Sequence, residues 1–261
     1  MSPVTQLRPV AAPSPRRRRL VSVASGKGGV GKTWFSITLS HALARAGCRT
    51  LLLDADLGLA NVDVQLGLAP KIDLAAVITG RASLADAVQR VQGFDVIAGR
   101  SGSGNLASVS NDRLGQLRGS IAALSETYDQ TVIDLGAGLD AAVLMLTAID
   151  GISLVVTTSE PTALTDAYAY MKVMNRHHAG IDFRIVVNLA TDHREGERTY
   201  QTLAKACQTF MKFTPPLAGV IRRDPKVVDA IRHQTLLMER HPNADAAADV
   251  EAIARSLGPP R

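Results

Sequence analysis

The sequence contains few cysteines and no long apolar run. Among its 261 residues there are 2 cysteines, Cys48 and Cys207, which lie far apart without the paired spacing of a zinc site. A disulfide scaffold is therefore not expected, whereas a reducing, cytoplasmic compartment is. An apolar run such as Ala141 to Ile149 is far shorter than the roughly 20 residues that cross a bilayer. We therefore expect no membrane-spanning helix.

Acidic residues are missing from the first 19 positions, which contain five arginines and four prolines instead. Because the whole chain has a net charge of +5, this segment carries the entire excess. It has too little apolar surface to fold, so we expect residues 1–19 to be a disordered basic tail and residues 20–261 to form one domain. The cluster Arg16–Arg19 could contact a membrane surface at the cell pole, nucleic acid or an acidic partner, and a solvated leader is an equal alternative.

From Leu20 onward, short runs of branched or leucine-rich residues alternate with longer stretches whose apolar residues recur at helical spacing. This alternation predicts an α/β fold in which helices cover both faces of a predominantly parallel sheet. The Gly- and Ser-rich stretch Ser101–Ser110 predicts a surface loop. The predicted strands are Leu20–Ala24, Thr50–Asp54, Phe94–Ala98, Gln130–Asp134, Ile152–Thr157, Phe183–Asn188 and Leu217–Ile221. The predicted helices lie near Thr33–Ala46, Asp112–Thr127, Thr162–His178, Glu197–Lys212 and Ala244–Leu257.

A glycine-rich segment lies between the first predicted strand and the first predicted helix. Its sequence satisfies the phosphate-loop pattern G-x-x-x-x-G-K-[ST] in the context that the pattern requires. The glycines allow backbone N–H groups to surround phosphate oxygens, and the start of the helix adds a favourable dipole. Lys32 is expected to contact the β and γ phosphates, and the Thr33 hydroxyl to bind Mg²⁺. The nucleotide-binding residues predicted here are Gly26, Lys27, Gly28, Gly29, Val30, Gly31, Lys32 and Thr33.

Two acidic positions follow at the ends of predicted strands. Asp56 comes just after the strand Thr50–Asp54, and Asp134 ends the strand Gln130–Asp134. Open α/β sheets bind ligands at the carboxyl ends of their strands, so both carboxylates are expected near the phosphate site. Each of them, taken alone, could instead cap the turn that follows it.

The glycine-rich segment contains an additional lysine, Lys27, ahead of the lysine of the phosphate-loop pattern. This residue distinguishes between families of P-loop proteins. Its position resembles the deviant Walker A motif of the MinD/ParA family of P-loop ATPases, and the resemblance extends over about residues 20–257. It implies a homodimer that forms with ATP and Mg²⁺, in which Lys27 reaches the phosphates of the partner subunit. A solvated loop lysine is the alternative.

The same resemblance assigns roles to the other polar residues. ATP is hydrolysed to ADP and phosphate, with Lys27, Lys32 and Asp56 as the catalytic residues; Asp56 positions the attacking water. Asp134 resembles the Walker B aspartate and holds Mg²⁺ through water, together with Thr33.

A further part of the resemblance concerns adenine. Asn188 matches an asparagine that the family often uses at the adenine edge, and a polar cap of the strand end is the alternative. Residues 219–224 are similar to the family's nucleotide loop Gly-x-Ile-Pro-x-Asp, which makes Ile221 and Asp224 candidates for nucleotide binding. Arg222 stands where that loop has proline.

Three segments resemble one subfamily, the flagellar-number regulators FlhG and FleN. They are Asp54–Asp63, Asp134–Gly138 and Glu160–Ala169. They contain the candidate dimer or switch residues Asn61, Glu160 and Asp166. The resemblance implies a MinD-like regulator of flagellar number and placement, whose partner would be an FlhF-type GTPase or a flagellar transcription regulator.

A different kind of family member is the alternative interpretation. A ParA-like ATPase binds nonspecific DNA and positions a chromosome, a plasmid or another polar machine. Here Arg222 and Arg223 would supply positive charge for the DNA backbone, and the binding would weaken as salt rises.

Overall fold

A mostly parallel sheet lies at the centre of the structure, a computed structural model that describes residues 20–99, 109–147 and 151–258. The strands are β1 Leu20–Ser25, β2 Thr50–Ala55, β3 Gln89–Val91, β4 Phe94–Ile97, β5 Gln130–Ala137, β6 Ile152–Thr157, β7 Asp182–Ala190 and β8 Leu217–Arg222. In the described part of the chain they form one eight-stranded sheet in the order β3-β4-β2-β5-β1-β6-β7-β8. β3 runs antiparallel to β4, and all other neighbours are parallel. The predicted fold class is confirmed.

Helices connect these strands and pack on both faces of the sheet. They are α1 Lys32–Arg45, α2 Val62–Leu66, α3 Leu74–Ile78, α4 Asn111–Ser125, α5 Ala141–Thr147, α6 Pro161–His177, α7 His193–Met211, α8 Pro225–Arg232, α9 Leu237–Arg240 and α10 Asp245–Ser256. A short 3-10 turn covers Ala85–Ala87. Because alternate strand residues point to opposite faces, each strand contributes to two cores. In β2, Leu52 lies in one core with Phe35 of α1 and Val250 of α10, and Leu51 lies in the other core with Leu117 of α4.

The order of the strands determines where a ligand can bind. From β1 the chain crosses through α1 to β2 on one side, whereas β6, β7 and β8 extend the sheet on the other side. The connections therefore change direction at β1, which opens a crevice at the carboxyl ends of the central strands. The glycine-rich segment follows β1 directly, so the topology places it in this crevice.

Most predicted elements are present with small shifts of their ends. β5 continues to Ala137 and β7 to Ala190, beyond the predicted ends. The prediction that α7 begins near Glu197 is wrong. The helix begins at His193 because Asp192 caps it, with the side chain accepting a hydrogen bond from Glu195 N at 2.8 Å. The elements that were not predicted are β3, α2, α3, α5, α8 and α9.

Two predicted features fall outside the described residues. They are the basic tail, residues 1–19, and all but the end of the loop Ser101–Ser110. Within the described ranges, no helix combines the length and the apolar character needed to cross a membrane.

Close packing of α7 on β8 makes a prediction about stability. A Cβ on Gly196 of α7 would collide with Val220 Cγ1 of β8, whereas a Cβ on Gly119 of α4 would meet nothing within 4 Å. Replacing a helical glycine with alanine gains up to about 1 kcal/mol, but overpacking costs roughly 1–3 kcal/mol. We expect Gly196→Ala to lower the free energy of unfolding in urea and Gly119→Ala to raise it. A stabilised Gly196→Ala protein would contradict the packing described here.

Candidate functional site

The P-loop, residues 26–33, connects β1 to α1. Gly29 and Gly31 have φ values of 79° and 90°, in the left-handed region that favours glycine. Gly31 immediately precedes α1, so the unpaired N–H groups of the first helical turn lie next to the loop. Lys32 begins the helix and is only 8% exposed. Backbone donors, a helix start and a lysine are thus concentrated in one place, as phosphate binding requires.

The P-loop packs directly against α6. A Cβ on Gly26 would overlap with the carbonyl group of Asp166, so no larger residue fits at this position. The predicted switch residue Asp166 therefore contacts the loop through its backbone. The P-loop and α6 are therefore in direct backbone contact at Gly26.

Lys27 is bound within its own chain. Its Nζ donates hydrogen bonds to Glu160 Oε2 at 2.7 Å and to Thr162 Oγ1 at 2.8 Å, at the start of α6. The hydrogen bond that Glu160 accepts from Lys27, and the positive charge of Lys27, lower the pKa of Glu160. The side chains of Lys27 and Glu160 are 38% and 65% exposed, so solvent screens the ion pair. The Lys27–Glu160 pair is therefore a weak, solvent-exposed contact.

Asp134 lies deep in the crevice on β5. Ser36 Oγ of α1 donates to its Oδ1 at 2.9 Å, while Oδ2 is buried without a hydrogen-bonding partner among the described residues. Burial raises the pKa of Asp134 to about 6, and Thr33 and Lys32 act in the opposite direction. A buried carboxylate oxygen beside a threonine hydroxyl is a donor set that suits Mg²⁺, which prefers oxygen ligands. Thr33 and Asp134 thus fit the predicted magnesium site.

Asp56 lies on the loop after β2. Its Oδ1 accepts hydrogen bonds from Leu59 N at 2.9 Å and from Gly58 N at 3.2 Å. A Cβ on Gly136 would lie 3.4 Å from the same oxygen, so Asp56 adjoins the end of β5. The carboxylate predicted to position water therefore lies close to the strand that carries Asp134.

A buried neighbour, Asp54, holds that loop in place. Its Oδ1 accepts from Asp56 N at 3.2 Å, and its Oδ2 accepts from Asn61 N at 3.1 Å and from Val62 N at 3.0 Å. Asn61 Nδ2 in turn donates to Leu59 O at 2.6 Å. Burial, followed by the negative charge of Asp134, raises the pKa of Asp54 to about 7. The predicted switch residue Asn61 is therefore part of a loop whose shape depends on Asp54.

Asn188 lies on the other side of the P-loop, at the end of β7. Its Nδ2 donates to Val30 O of the P-loop at 2.8 Å, and its Oδ1 accepts from Leu189 N at 2.9 Å. Leu189 has a φ of 59°, which is unusual for a residue other than glycine. Asn188 therefore fixes the P-loop to β7, while its adenine contact stays a prediction.

The two remaining candidates lie at β8. Ile221 is fully buried in the strand, and Asp224 caps α8 by accepting a hydrogen bond from Lys226 N at 2.9 Å. Both therefore lie at the same edge of the sheet as the P-loop. Their contact with a nucleotide stays a prediction.

Comparison with known proteins identifies the family. The model of the CobQ/CobB/MinD/ParA nucleotide binding domain matches residues 21–237. The chain belongs to this family. It is accordingly a P-loop ATPase, which confirms the predicted enzyme class.

Individual family members are similar over nearly the whole chain. The antiactivator FleN of Pseudomonas aeruginosa is 37% identical over 240 residues, which cover 92% of this chain and 86% of FleN. The flagellum site-determining protein YlxH of Helicobacter pylori is 29% identical, and the match covers 92% of this chain and 81% of YlxH. The septum site-determining protein MinD of Pyrococcus horikoshii, solved in complex with Mg-ADP, matches with a TM-score of 0.78 and 26% identity. That match covers 91% of this chain and 95% of MinD.

Sequence reasoning missed several residues that shape this MinD/ParA site. Thr162 and Ser36 were not selected, because their roles depend on contacts with residues far away in the chain. Asp54 was visible as an acid at the end of an apolar strand, beside Asp56. A carboxylate inside a strand that is buried on both faces needs donors, and this signal could have identified it.

The raised pKa of Asp54 makes a prediction about pH. Its pKa is 3.8 ordinarily and about 7 in the folded protein, so between these values the folded state holds a proton that the unfolded state has released. This group's contribution to stability is therefore lost as pH rises through about 7. In Asp54→Asn this part of the pH dependence of the unfolding free energy should disappear. Urea unfolding from pH 5 to pH 8 without Mg²⁺ measures the change. Asp112→Asn, at an exposed site on α4, controls for the loss of charge. The prediction is contradicted if the unfolding free energy changes with pH equally in the wild type and in both variants.

Proposed function

We propose that this MinD/ParA ATPase is a nucleotide-switched regulator of flagellar number and placement. The observation that carries the switch is the pairing of Lys27 with Glu160 at 2.7 Å inside one chain. This contact is exposed and exchangeable, so the lysine is available for a second arrangement. The flagellar assignment is supported by the similarity to FleN and YlxH.

In this proposal the P-loop binds ATP. Backbone N–H groups of residues 26–33 surround the phosphates, and Lys32 contacts the β and γ phosphates. Thr33 and Asp134 would hold Mg²⁺, which neutralises charge on the phosphate oxygens. Asp56 orients the attacking water, at the end of a loop that Asp54 keeps in shape.

Lys27 distinguishes the two states. In the free subunit its charge is balanced by Glu160, whose carboxylate has one negative charge and is mostly in water. In a homodimer with ATP, Lys27 would leave Glu160 and Thr162 and reach the phosphates of the partner subunit. Phosphates carry more charge than one carboxylate, and a closed interface excludes water, so the exchange is favourable there. Hydrolysis transfers the γ phosphoryl group to water, and release of the resulting phosphate removes that charge and reverses the exchange.

The partner of the ATP-bound dimer would be a flagellar protein, either an FlhF-type GTPase or a flagellar transcription regulator. The protein would act in the cytoplasm, with the cluster Arg16–Arg19 as its candidate contact with a membrane surface or nucleic acid at the cell pole. A ParA-like role on DNA receives less support, because the guanidinium of Arg222 is already paired with Asp245 and Asp249.

Deleting the gene in its own host should change the number or position of flagella per cell, counted by electron microscopy. The wild-type chain should restore the normal count, whereas Lys32→Ala, which loses nucleotide binding, should not. Arg255→Ala, which removes an exposed charge on α10, should restore the count as the wild type does. A normal count in the deletion strain would contradict the flagellar role. So would full rescue by Lys32→Ala at equal protein level.

A further inference from the structure

Arg222 has an unusually complete set of contacts for a residue at a strand end. Its Nε donates to Asp249 Oδ2 at 3.0 Å and its Nη2 to Asp249 Oδ1 at 2.9 Å, so the pair is bidentate. Its backbone N–H donates to the same Oδ2 at 2.9 Å, and its Nη1 lies 3.0 Å from Asp245 Oδ1. Four contacts therefore join the end of β8 to the first half of α10.

The partial burial of this cluster strengthens the ion pair between Arg222 and Asp249. The side chain of Asp249 is 5% exposed and that of Arg222 is 27% exposed, so water screens the ion pair far less than the one at Lys27. An Arg–carboxylate pair with two parallel hydrogen bonds fixes both distance and orientation. Without Arg222, the buried carboxylate of Asp249 would keep His193, whose Nε2 lies 3.3 Å from Oδ1, as its ion-pair partner among the described residues. Without Asp249, Arg222 would keep Asp245.

The residues after Arg222 are tied down on both sides. Arg223 N donates to Ala190 O of β7 at 2.7 Å, and Asp224 Oδ2 accepts from Ala246 N of α10 at 3.4 Å. Earlier in β8, a Cβ on Gly219 would lie 2.5 Å from Ile253 Cγ1, so β8 and α10 are in close contact. Residues 222–224 are thus held between the end of β7 and the first turns of α10.

The direction in which a nucleotide extends from the P-loop decides whether residues 222–224 lie near its base. On the β5 and β2 side the crevice contains the carboxylates Asp134, Asp54 and Asp56, which belong with the cation and the reacting phosphate. On the opposite side it contains Asn188, which touches the P-loop, and then residues 222–224. If the cation and the phosphates occupy the carboxylate side, the nucleoside is left with the β7 and β8 side, next to Asn188.

We propose that Arg222 and Asp249 are positioning residues for the base of the bound nucleotide. They do not touch the base; they hold residues 222–224 in the shape that receives it. Proline at position 222 would fix the backbone through its ring but could not donate the N–H that Arg222 gives to Asp249. This inference rests on the proposed binding of ATP at the P-loop.

The test compares two ligands that differ only in the part that this loop would contact. Mg-ATP contains triphosphate and nucleoside, whereas Mg-tripolyphosphate contains the phosphates alone. Binding is followed by the fluorescence of Trp34, the single tryptophan, which lies next to Thr33 in α1. We expect Arg222→Ala to weaken the binding of Mg-ATP by about tenfold, because the loop is no longer preorganised. Its affinity for Mg-tripolyphosphate should change by less than about twofold, since the P-loop itself is intact.

Three further variants make the result decisive. Asp249→Asn preserves shape and removes the charge, so it should show the same selective loss even if Arg222→Ala folds poorly. The double variant should be no weaker than either single variant, because one contact cannot be lost twice. Glu251→Ala removes a different ion pair of α10, to Arg45 of α1, and should bind both ligands as the wild type does.

The opposing outcomes separate the inference from the proposed function. Unchanged binding of ATP by Arg222→Ala and Asp249→Asn would overturn the inference and leave the ATP site in place. An equal loss of both ligands would also overturn it, since a general structural role predicts that result. Wild-type protein that binds neither ligand, like Lys32→Ala, would overturn the proposed function itself.

Discussion

The packing of the P-loop against α6 is the constraint on which the rest of the site depends. Gly26 lies against the Asp166 carbonyl with no room for a Cβ, and the next residue, Lys27, is bound at the start of the same helix. The loop that binds phosphates and the helix that holds the family's additional lysine therefore form one packed unit. A change at the start of α6 would therefore be felt at Gly26 and Lys27 first, because both contact this helix.

The crevice is also divided by charge. Asp54 and Asp134 are register partners on neighbouring strands, and burial raises the pKa of both. Two buried carboxylates this close favour a bound cation, so this side suits Mg²⁺ and the reacting phosphate. The β7 and β8 side contains the amide of Asn188 and a loop whose arginine is already neutralised by Asp249. The two sides of the crevice thus differ in chemistry, with carboxylates on one side and the Asn188 amide beside the P-loop on the other.

The sequence predicted the architecture and the phosphate site because both depend on local patterns. Buried strands such as Ile152–Thr157 appear as mostly apolar runs, and the P-loop is a contiguous segment between a strand and a helix. Short elements escaped prediction for a physical reason. α2 and α3 have five residues each and β3 has three, too few to display a period.

Contacts between distant residues could not be predicted in this way. Lys27 and Glu160 are 133 positions apart, and Arg222 and Asp249 are 27 apart, so no spacing rule links either pair. Asn188 illustrates the same limit, since the sequence indicated either an adenine contact or a polar cap of the strand end. Its hydrogen bond to Val30 O depends on how β7 lies beside the P-loop, which only the folded structure reveals.

The proposed switch requires Lys27 to exchange an internal partner for the nucleotide of a second subunit. The solution mass of Asp56→Ala, measured by light scattering with Mg²⁺ and either ATP or ADP, tests this most directly, because slow hydrolysis preserves the ATP state. We expect a dimer with ATP, a monomer with ADP, and a monomer with both nucleotides once Lys27→Ala is added. A monomer in both nucleotides, or an ATP-dependent dimer that survives Lys27→Ala, would contradict it.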